Sequence, residues 1–508
     1  MNTRILTFAV AVSVAFPLAV QSSTTAAQSD EFSRSAWIAR NAERVRFSGG
    51  VLPAGARLPQ PASIAPQARR LAFPGDVTAP VRLSSDLLPS DGESQAETQA
   101  EPYLAANRAD PRNVLAGWQE SRYANGGARA LGFAASTDEG ATWNEGLAPG
   151  LTEASGGSWD RASDPWVAFG PGSHAYFCSL LFEEAAPDNA IGVNRSTDGG
   201  RTWGPVVLAT LSNAEFNDKQ SLTVDTSAGS PFLGRVYVAW DANFDTNQDG
   251  GIDRQTVLVT YSSDEGSTWS RPIKVRKKGA NVGCIARVGP DGSVSMVWLG
   301  GALTGRKSYI YFAKSTDGGE TWSRARRISE VRAAGVSGFR SGNGLPSFDV
   351  DPMTGAMHVA WSDARFTGVD QIALITSTDG GVTWSAPRRV SDGPGDAPEF
   401  TVSVAARPGG HVAVSAYSLR NDPSRQFLVD LFVQVSADGG ATFGAARRAT
   451  PESFDIRWAA QARGYFLGDY IGLAGSSERF HLLWVGTPEP SAIDPERRQP
   501  DAFAASTP

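Results

Sequence analysis

An eight-residue motif recurs six times in this 508-residue chain and constrains the fold more than any other feature. The copy at Ser315–Trp322 reads Ser-Thr-Asp-Gly-Gly-Glu-Thr-Trp. The other copies are Ser136–Trp143, Ser196–Trp203, Ser262–Trp269, Ser377–Trp384 and Ser436–Phe443. Because self-similarity at a period of about 60 residues marks a repeat architecture, each repeat is expected to form one supersecondary unit.

The motif is expected to be a hairpin turn. A short apolar run, Tyr309–Ala313, precedes the copy at Ser315–Trp322, and a second strand-like run, Arg324–Ser329, follows it. Aspartate can accept hydrogen bonds from nearby main-chain N–H groups, and glycine allows positive φ. The tryptophan can pack under the turn against a neighbouring sheet.

The pattern Ser-x-Asp-x-Gly-x-Thr-Trp resembles the Asp-box of the sialidase-like (BNR-repeat) superfamily, and the resemblance covers residues 101–508. It implies an all-β fold, a β-propeller of four-stranded antiparallel blades with six Asp-box turns. In that family the turns lie on the face away from the active site. The resemblance therefore implies a structural role for the six aspartates, which are Asp138, Asp198, Asp264, Asp317, Asp379 and Asp438.

Seven strand-like segments can open a repeat unit, so seven blades are favoured over six. They are Pro102–Ala106, Pro165–Phe169, Ser221–Val224, Cys284–Val288, Ser347–Val350, Phe400–Ala405 and Tyr470–Ala474. The last unit has no motif and ends in the run Phe503–Ala505. A closing strand from residues 77–86 would complete it and remove the open sheet edge. Six blades, the sialidase number, remain the alternative.

The N-terminus predicts export. Residues 1–27 combine Arg4, an apolar run and small residues, which is typical of a signal peptide, so we expect a secreted or periplasmic protein. Residues 28–76 are expected to be a strap or linker, and residues 77–508 the propeller, with blades in 101–508. No other long apolar segment predicts a membrane span. The net charge of −7 argues against a nucleic-acid partner, and we expect a monomer.

The starts of first strands and the ends of second strands should share one face of a propeller and form a central funnel. Glu101 and Asp241 lie at such positions. Our catalytic candidates there are Asp164, Asp218, Glu399, Asp469 and Tyr470. Our substrate-binding candidates are Arg122, Lys219, Arg340, Asp363, Arg365 and Arg420. Paired carboxyls can hydrolyse a sugar bond and arginines can hold an anionic substituent. The structural alternative is that these charges are solvated or cap strand ends.

The sialidase resemblance implies particular roles for some of these residues. Sialidases use a Tyr nucleophile paired with a Glu, an Asp acid/base and three arginines. It therefore implies Tyr470 as nucleophile, Asp164 or Asp218 as acid, and arginines from Arg122, Arg340, Arg365 and Arg420. The Arg-Ile-Pro segment of the family is absent near the first blade, where Glu101–Leu104 stands instead.

Two functions follow as hypotheses. The first is an exported glycoside hydrolase, exo-sialidase-like, acting on a complex and acidic glycan. The second is a non-catalytic Asp-box propeller that binds glycan or protein. The acid-rich funnel favours the first, and the missing Arg-Ile-Pro segment favours the second.

A separate segment predicts a structural Ca²⁺ site. Asp245, Asn247, Asp249 and Asp253 follow the spacing of an EF-hand-type loop, in which alternate oxygen ligands surround the cation. Position 12 of that loop is Thr256, where an acid is usual. The alternative is a polar turn between two strands.

Overall fold

The computed structural model describes residues 32–41, 76–247, 249, 251–302 and 307–508. The predicted signal peptide and most of the predicted strap lie outside these residues. The described part holds one α-helix, α1 (Arg34–Asn41), two short 3₁₀ turns (Glu153–Ser155 and Ile456–Trp458) and 32 strands. The all-β expectation is therefore confirmed. The described residues include no helix with the length and hydropathy that crossing a membrane requires.

Most strands form four-stranded antiparallel units, and a single pair, Ala128 with Ala162, joins the first two units into one eight-stranded sheet. The strand β1 (Val81–Arg82) comes first in the chain. The first unit contains β2 (Gln95–Ala106), β3 (Val114–Arg122), β4 (Ala128–Ser136) and β5 (Asn144–Leu147). The second unit contains β6 (Arg161–Phe169), β7 (Ala175–Phe182), β8 (Asn189–Ser196) and β9 (Val207–Ser212). The third unit contains β10 (Glu215–Val224), β11 (Val236–Phe244), β12 (Arg254–Ser262) and β13 (Ile273–Arg276).

The later units follow the same plan. The fourth unit contains β14 (Ala280–Val288), β15 (Val294–Gly301), β16 (Ser308–Ser315) and β17 (Arg326–Val331). After β18 (Phe339–Arg340), the fifth unit contains β19 (Ser347–Val350), β20 (Met357–Asp363), β21 (Gln371–Ser377) and β22 (Arg388–Arg389). The sixth unit contains β23 (Glu399–Arg407), β24 (His411–Ser418), β25 (Leu428–Ser436) and β26 (Arg447–Arg448).

The last part of the chain is less regular. It contains β27 (Phe454–Asp455), β28 (Ala460–Gln461) and β29 (Tyr465–Phe466), and then the seventh unit with β30 (Gly472–Gly475), β31 (Phe480–Gly486) and β32 (Asp501–Thr507). The strand β29 pairs in parallel with β18 and antiparallel with β28, which brings two inter-unit segments together.

The first strands of the units pack on one another in a ring. In order around it, β2, β6, β10, β14, β19, β23 and β30 each contact the next, and β30 contacts β2. The chain ends meet in the last sheet, where Val81 pairs with Ala504 and Arg82 with Phe503. Each sheet is filled by buried aromatic side chains, among them Trp118, Trp240, Trp298, Trp361 and Trp484.

The repeated motif forms the same turn in every copy. In the copy around Asp317, Thr321 N donates to Asp317 Oδ1 at 2.9 Å, and Ser315 Oγ donates to that oxygen at 2.8 Å. Hydrogen bonds from Thr321 lower the pKa of Asp317 to about 2. The corresponding Ser–Asp and Thr–Asp hydrogen bonds recur in all six copies. The aspartate oxygens are occupied within the turn, which fits a structural role.

Candidate functional site

A β-bulge recurs in the first strand of five units, and it shapes the candidate site. In β2 the pairing with β3 shifts between Ala100 and Tyr103, and equivalent shifts occur in β6, β10, β14 and β23. The residue inside each bulge has positive φ, namely Glu101 (53°), Asp164 (52°), Lys219 (47°), Gly283 (68°) and Thr401 (50°). Bulges redirect side chains and occur next to active sites.

The bulges also explain where the predicted strand limits are wrong. The strand β2 begins at Gln95, not Pro102, and β10 begins at Glu215, not Ser221. The bulge interrupts the two-residue alternation, so the polar residues before it do not look like strand residues.

The bulges of β2 and β6 contribute Glu101 and Asp164 to a pocket that is also lined by side chains from several other segments. The pocket lies near the starts of the first strands. The repeated turns lie at the other end, because Ala106 at the end of β2 is aligned with Val114 and with Ser136, where the first turn begins. The polar lining of the pocket is formed by Glu101, Arg122, Asn125, Ser163, Asp164, Asp218, Arg340 and Arg463. It therefore lies on the face opposite to the turns.

Glu101 is a buried acid in this pocket. Its side chain accepts a hydrogen bond from Gln119 Nε2 at 2.5 Å, and the residue is 1% exposed. Burial, followed by the charges of Asp164 and Asp469, raises the pKa of Glu101 to about 8. Burial therefore favours the protonated form of this carboxyl, which is the form that a general acid needs.

Asp218 and Asp164 are the other carboxyls of the pocket. Burial, and then the charge of Asp164, raises the pKa of Asp218 to about 7. Asp164 Oδ2 accepts from Ser163 Oγ at 2.9 Å, while Asp164 Oδ1 lies 3.5 Å from Lys219 Nζ. The pocket thus places a carboxyl with a raised pKa beside one that faces an ammonium group.

Two guanidinium groups of the pocket share one aromatic ring. The Arg122 and Arg340 guanidiniums lie 4.5 and 4.2 Å from the Phe466 ring centroid. Arg340 donates to Asp469 through Nε at 3.2 Å and Nη2 at 2.5 Å. Burial opposes ionisation of Asp469, but the Arg340 guanidinium holds the pKa of Asp469 below its usual value.

The pocket retains N–H donors without partners. Burial, and then the neighbouring charge of Arg340, lowers the pKa of both Arg122 and Arg463 to about 10. Within the described residues, Arg122 Nε and Arg463 Nη1 are buried and have no hydrogen-bond partner. Buried N–H donors normally have a hydrogen-bond partner, so a bound anion would supply the missing acceptor.

Tyr470 lies beside this pocket, in a small cavity lined by the first strands of several units. Lys219 Nζ is 3.2 Å from the Tyr470 ring centroid, and the Trp166 ring packs 5.5 Å away. The Tyr470 hydroxyl donates to the main-chain oxygen of Pro165 at 3.2 Å. Burial, and then the charge of Glu101, raises the pKa of Tyr470 well above its usual value. The phenol is therefore neutral and bound to a main-chain carbonyl rather than to a carboxylate.

The remaining predicted site residues form separate ion pairs that do not line the pocket. Glu399 accepts hydrogen bonds from Arg420 and from Ser391 Oγ. Asp363 pairs with Arg365 at 2.8 Å and also accepts from Trp361 Nε1 at 2.7 Å. The structure thus brings together Asp164, Asp218, Asp469, Arg122, Lys219 and Arg340, with Tyr470 adjacent, and not the other four.

Two charged residues of this pocket are not among the predicted site residues. Glu101 lies at a predicted first-strand start, which was the available signal for it. Arg463 lies between β28 and β29, in a segment that has no counterpart in the other units. The length of that extra segment was the available signal.

Hydrogen bonds link the described residues of the predicted calcium loop. Thr246 N donates to Asp253 Oδ2 at 2.9 Å, and Asp249 N donates to Asp245 Oδ1 at 3.2 Å. Asn247 Nδ2 donates to Asp249 Oδ2 at 3.1 Å. The described residues contain no cluster of three or more His, Cys, Asp or Glu side chains placed to hold a metal ion.

Comparisons with known proteins agree with the turn geometry. A family model described as BNR/Asp-box repeat matches residues 313–324. A sialidase of Clostridium perfringens is 24% identical over 185 residues, which is 31% of this chain and 43% of that protein. A sialidase of Paraclostridium sordellii is 25% identical over 165 residues, 28% of this chain and 40% of that protein. The matched segment thus spans less than half of either curated relative.

Solved structures resemble the chain more distantly. A Hadza microbial sialidase is 15% identical with a TM-score of 0.44, covering 87% of this chain and 95% of that chain. An α-L-arabinofuranosidase of Fusarium graminearum is 13% identical with a TM-score of 0.45, covering 85% and 98%. Neither likeness bears on function at these TM-scores. The six turns and the sequence matches together make the chain similar to Asp-box (BNR-repeat) proteins and, over part of its length, to sialidases.

Proposed function

We propose that this chain is a sialidase-like glycoside hydrolase that acts on a complex, acidic glycan at the pocket around Glu101 and Asp164. One observation carries the proposal. Carboxyls with raised pKa values and guanidiniums with unpartnered N–H groups line the same buried pocket. Perturbed acids beside fixed cations are typical of catalytic sites.

The guanidinium groups would select the substrate. Arg122 Nε and Arg463 Nη1 are buried donors that a carboxylate could satisfy. Arg340 is held in place by Asp469 and supplies a third positive charge. Guanidinium groups bind planar carboxylates with high geometric specificity. We therefore expect an acidic sugar rather than a neutral one.

The carboxyls would carry the reaction. Hydrolysis of a glycosidic bond needs one group to protonate the leaving oxygen and another to act at the anomeric carbon. Glu101, with a pKa of about 8, is proposed as the general acid. Asp164, facing Lys219, is proposed as the nucleophile or base. Tyr470 would first have to release the Pro165 carbonyl, so the proposal gives it no reacting role.

The second candidate function is binding without catalysis. The cavity at this pocket has a volume of about 50 Å³. Typical ligand pockets measure roughly 300 Å³ or more. A cavity of this size matches a carboxylate-sized substituent better than a whole sugar ring. This favours a protein that holds the acidic group of a glycan or protein ligand.

A hydrolysis screen separates the two functions. Aryl glycosides, including sialosides, and acidic polysaccharides would be incubated with the wild type, Asp164→Asn and the exposed control Glu93→Gln. Release of an acidic sugar by the wild type and by the Glu93 control, but not by Asp164→Asn, is the expected result. If nothing is hydrolysed while calorimetry shows that free sialic acid binds, and Arg463→Met abolishes this binding, the second function is correct.

We also propose that the ring of units is a seven-bladed propeller with six Asp-box turns, closed by β1. The contacts from β30 back to β2 and the pairing of β1 with β32 support this count. Residues 1–27 are proposed to direct export to the periplasm or beyond, and the mature protein to be a monomer. Mass spectrometry of the exported N-terminus and light scattering test these two points.

Calcium binding at Asp245, Asn247, Asp249 and Asp253 is proposed as a structural role. Binding would replace the hydrogen bonds from Thr246 and from the Asp249 main chain with metal–oxygen contacts. Calcium should then raise the melting temperature, and a chelator should lower it again. A melting temperature that is equal in calcium and in chelator would rule this site out.

A further inference from the structure

The outer edges of the third and fourth units carry a group of cations that the pocket does not use. The strands β13 and β17 are the outermost strands of their sheets. We call the group on and beside them the basic rim. It consists of Arg271, Lys274, Arg276, Lys277, Lys278, Arg324, Arg326 and Arg327.

The basic rim is exposed and its charges are not neutralised. Every member except the half-buried Arg276 is exposed. In the described part of the chain, no member forms an ion pair within 4.0 Å. The nearby Glu330 is already paired with Arg332 at 2.9 Å and lies 4.0 Å from Lys307. A concentrated positive surface therefore stands on a chain whose net charge is −7.

Aromatic contacts join the rim across two units. The Arg276 guanidinium of the third unit lies 3.9 Å from the Tyr311 ring centroid of the fourth. Arg327 lies 4.1 Å from the Tyr309 ring centroid, and Arg327 Nε donates to Tyr311 Oη at 3.0 Å. These contacts hold the two guanidinium groups in place. Their side chains would therefore lose less conformational entropy when a ligand binds.

We propose that the basic rim binds an acidic polysaccharide, a polymer carrying carboxylate or sulfate groups. The exposed cations lie along open strand edges, so a long polymer with spaced negative charges fits better than a compact ligand. This second binding surface goes beyond the proposed pocket and does not depend on it. It would hold the protein on a polyanionic matrix.

Features of the rim argue against two other polyanions. None of the large apolar side chains exposed in the described residues belongs to the rim. Val382, whose main-chain oxygen accepts from Arg326 Nη1 at 2.9 Å, lies beside the rim, but a single apolar side chain is less than the apolar face that inserts into a lipid surface. The rings of Tyr309 and Tyr311 already have guanidiniums stacked on them, which leaves them less able to stack with nucleic-acid bases.

The test compares two triple variants with equal loss of charge. The rim variant is Lys274→Gln, Lys277→Gln, Arg324→Gln, and the control variant is Arg112→Gln, Arg201→Gln, Arg497→Gln. All six side chains are exposed. Binding to immobilised heparin and polygalacturonate would be measured at about 0.15 M ionic strength, with neutral dextran, phosphatidylglycerol vesicles and single-stranded DNA as comparison ligands.

We expect the wild type and the control variant to bind at least one acidic polysaccharide, and the rim variant to bind it roughly tenfold more weakly or worse. Equal melting temperatures would show that all three proteins are folded. The proposal is overturned if the wild type binds neither acidic polysaccharide, if both triple variants lose affinity equally, or if the rim variant loses none. Tighter binding to vesicles or to DNA than to the polysaccharides would also overturn it.

Discussion

The substitution Glu101→Gln tests whether the Glu101 carboxyl is protonated at neutral pH. Burial, and then the charges of Asp164 and Asp469, raises its pKa from 4.5 to about 8. Between these two values the folded protein keeps a proton that the unfolded chain releases. The free energy of unfolding therefore falls as pH rises through this window. Glutamine is neutral at every pH and lacks this dependence.

The size of the effect follows from the two pKa values. Each pH unit in the window changes the free energy of unfolding by up to about 1.4 kcal/mol per proton. Across the whole window, Glu101 changes the free energy of unfolding by at most about 5 kcal/mol. The neighbouring carboxyls titrate together with Glu101, which makes this change smaller. Relative to the wild type, Glu101→Gln should therefore gain stability steadily between pH values of about 5 and 8. Asp218 remains in both proteins, so its contribution largely cancels.

Urea unfolding at several pH values measures this difference. The urea concentration at the midpoint of unfolding should change with pH more steeply in the wild type than in Glu101→Gln. The slope of the free energy against urea concentration should be the same in both proteins. The exposed Glu93→Gln variant is the control and should follow the wild type. If Glu101→Gln also follows the wild type across the window, the carboxyl is ionised at neutral pH. The proposed general acid would then be wrong.

Three further substitutions test one buried ion pair of the site, one repeated turn and the contact of α1 with the third unit. Asp469→Asn removes the partner of buried Arg340 and should lower the free energy of unfolding by about 3–5 kcal/mol in urea titrations, whereas an unchanged midpoint would contradict the buried pair. Asp317→Ala removes hydrogen bonds within one turn, and it should cost about 1–3 kcal/mol in the same assay while leaving any hydrolysis intact. Trp37→Ala removes the ring that packs 6.0 Å from Phe216, so α1 should become easier to cleave in limited proteolysis.

The turn motif allowed much of the fold to be predicted from the sequence. The motif around Asp317 specifies a hairpin through its own side chains, and the structure confirms those hydrogen bonds. The apolar run Tyr309–Ala313 indicated a strand, and β16 covers that run. The bulges were not predictable, because Glu101 and Lys219 adopt positive φ without being glycine or asparagine.

The site was predicted best where side chains project from the ring itself. Arg122 meets Asp164 and Asp218 in the pocket, as the strand-end positions indicated, whereas Arg340 joins them from β18, outside the units. Arg365 and Arg420 had equivalent positions, but a carboxylate close to each one, Asp363 or Glu399, binds it within its own unit. A sequence pattern does not show which of several nearby acids an arginine will bind, because that depends on side-chain geometry.

The recurring bulge explains why the pocket lies on one side of the ring. The bulges of neighbouring units present Glu101, Asp164 and Lys219, which carry two carboxyls and an ammonium. The bulges of the fourth and sixth units present Gly283 and Thr401, which carry no charge. The backbone therefore supplies the same bend in each of these units, and the residue type at the bend decides where polar chemistry is placed. Changing the residue at a bulge can thus alter the site while the strand pairing that holds the ring together is kept.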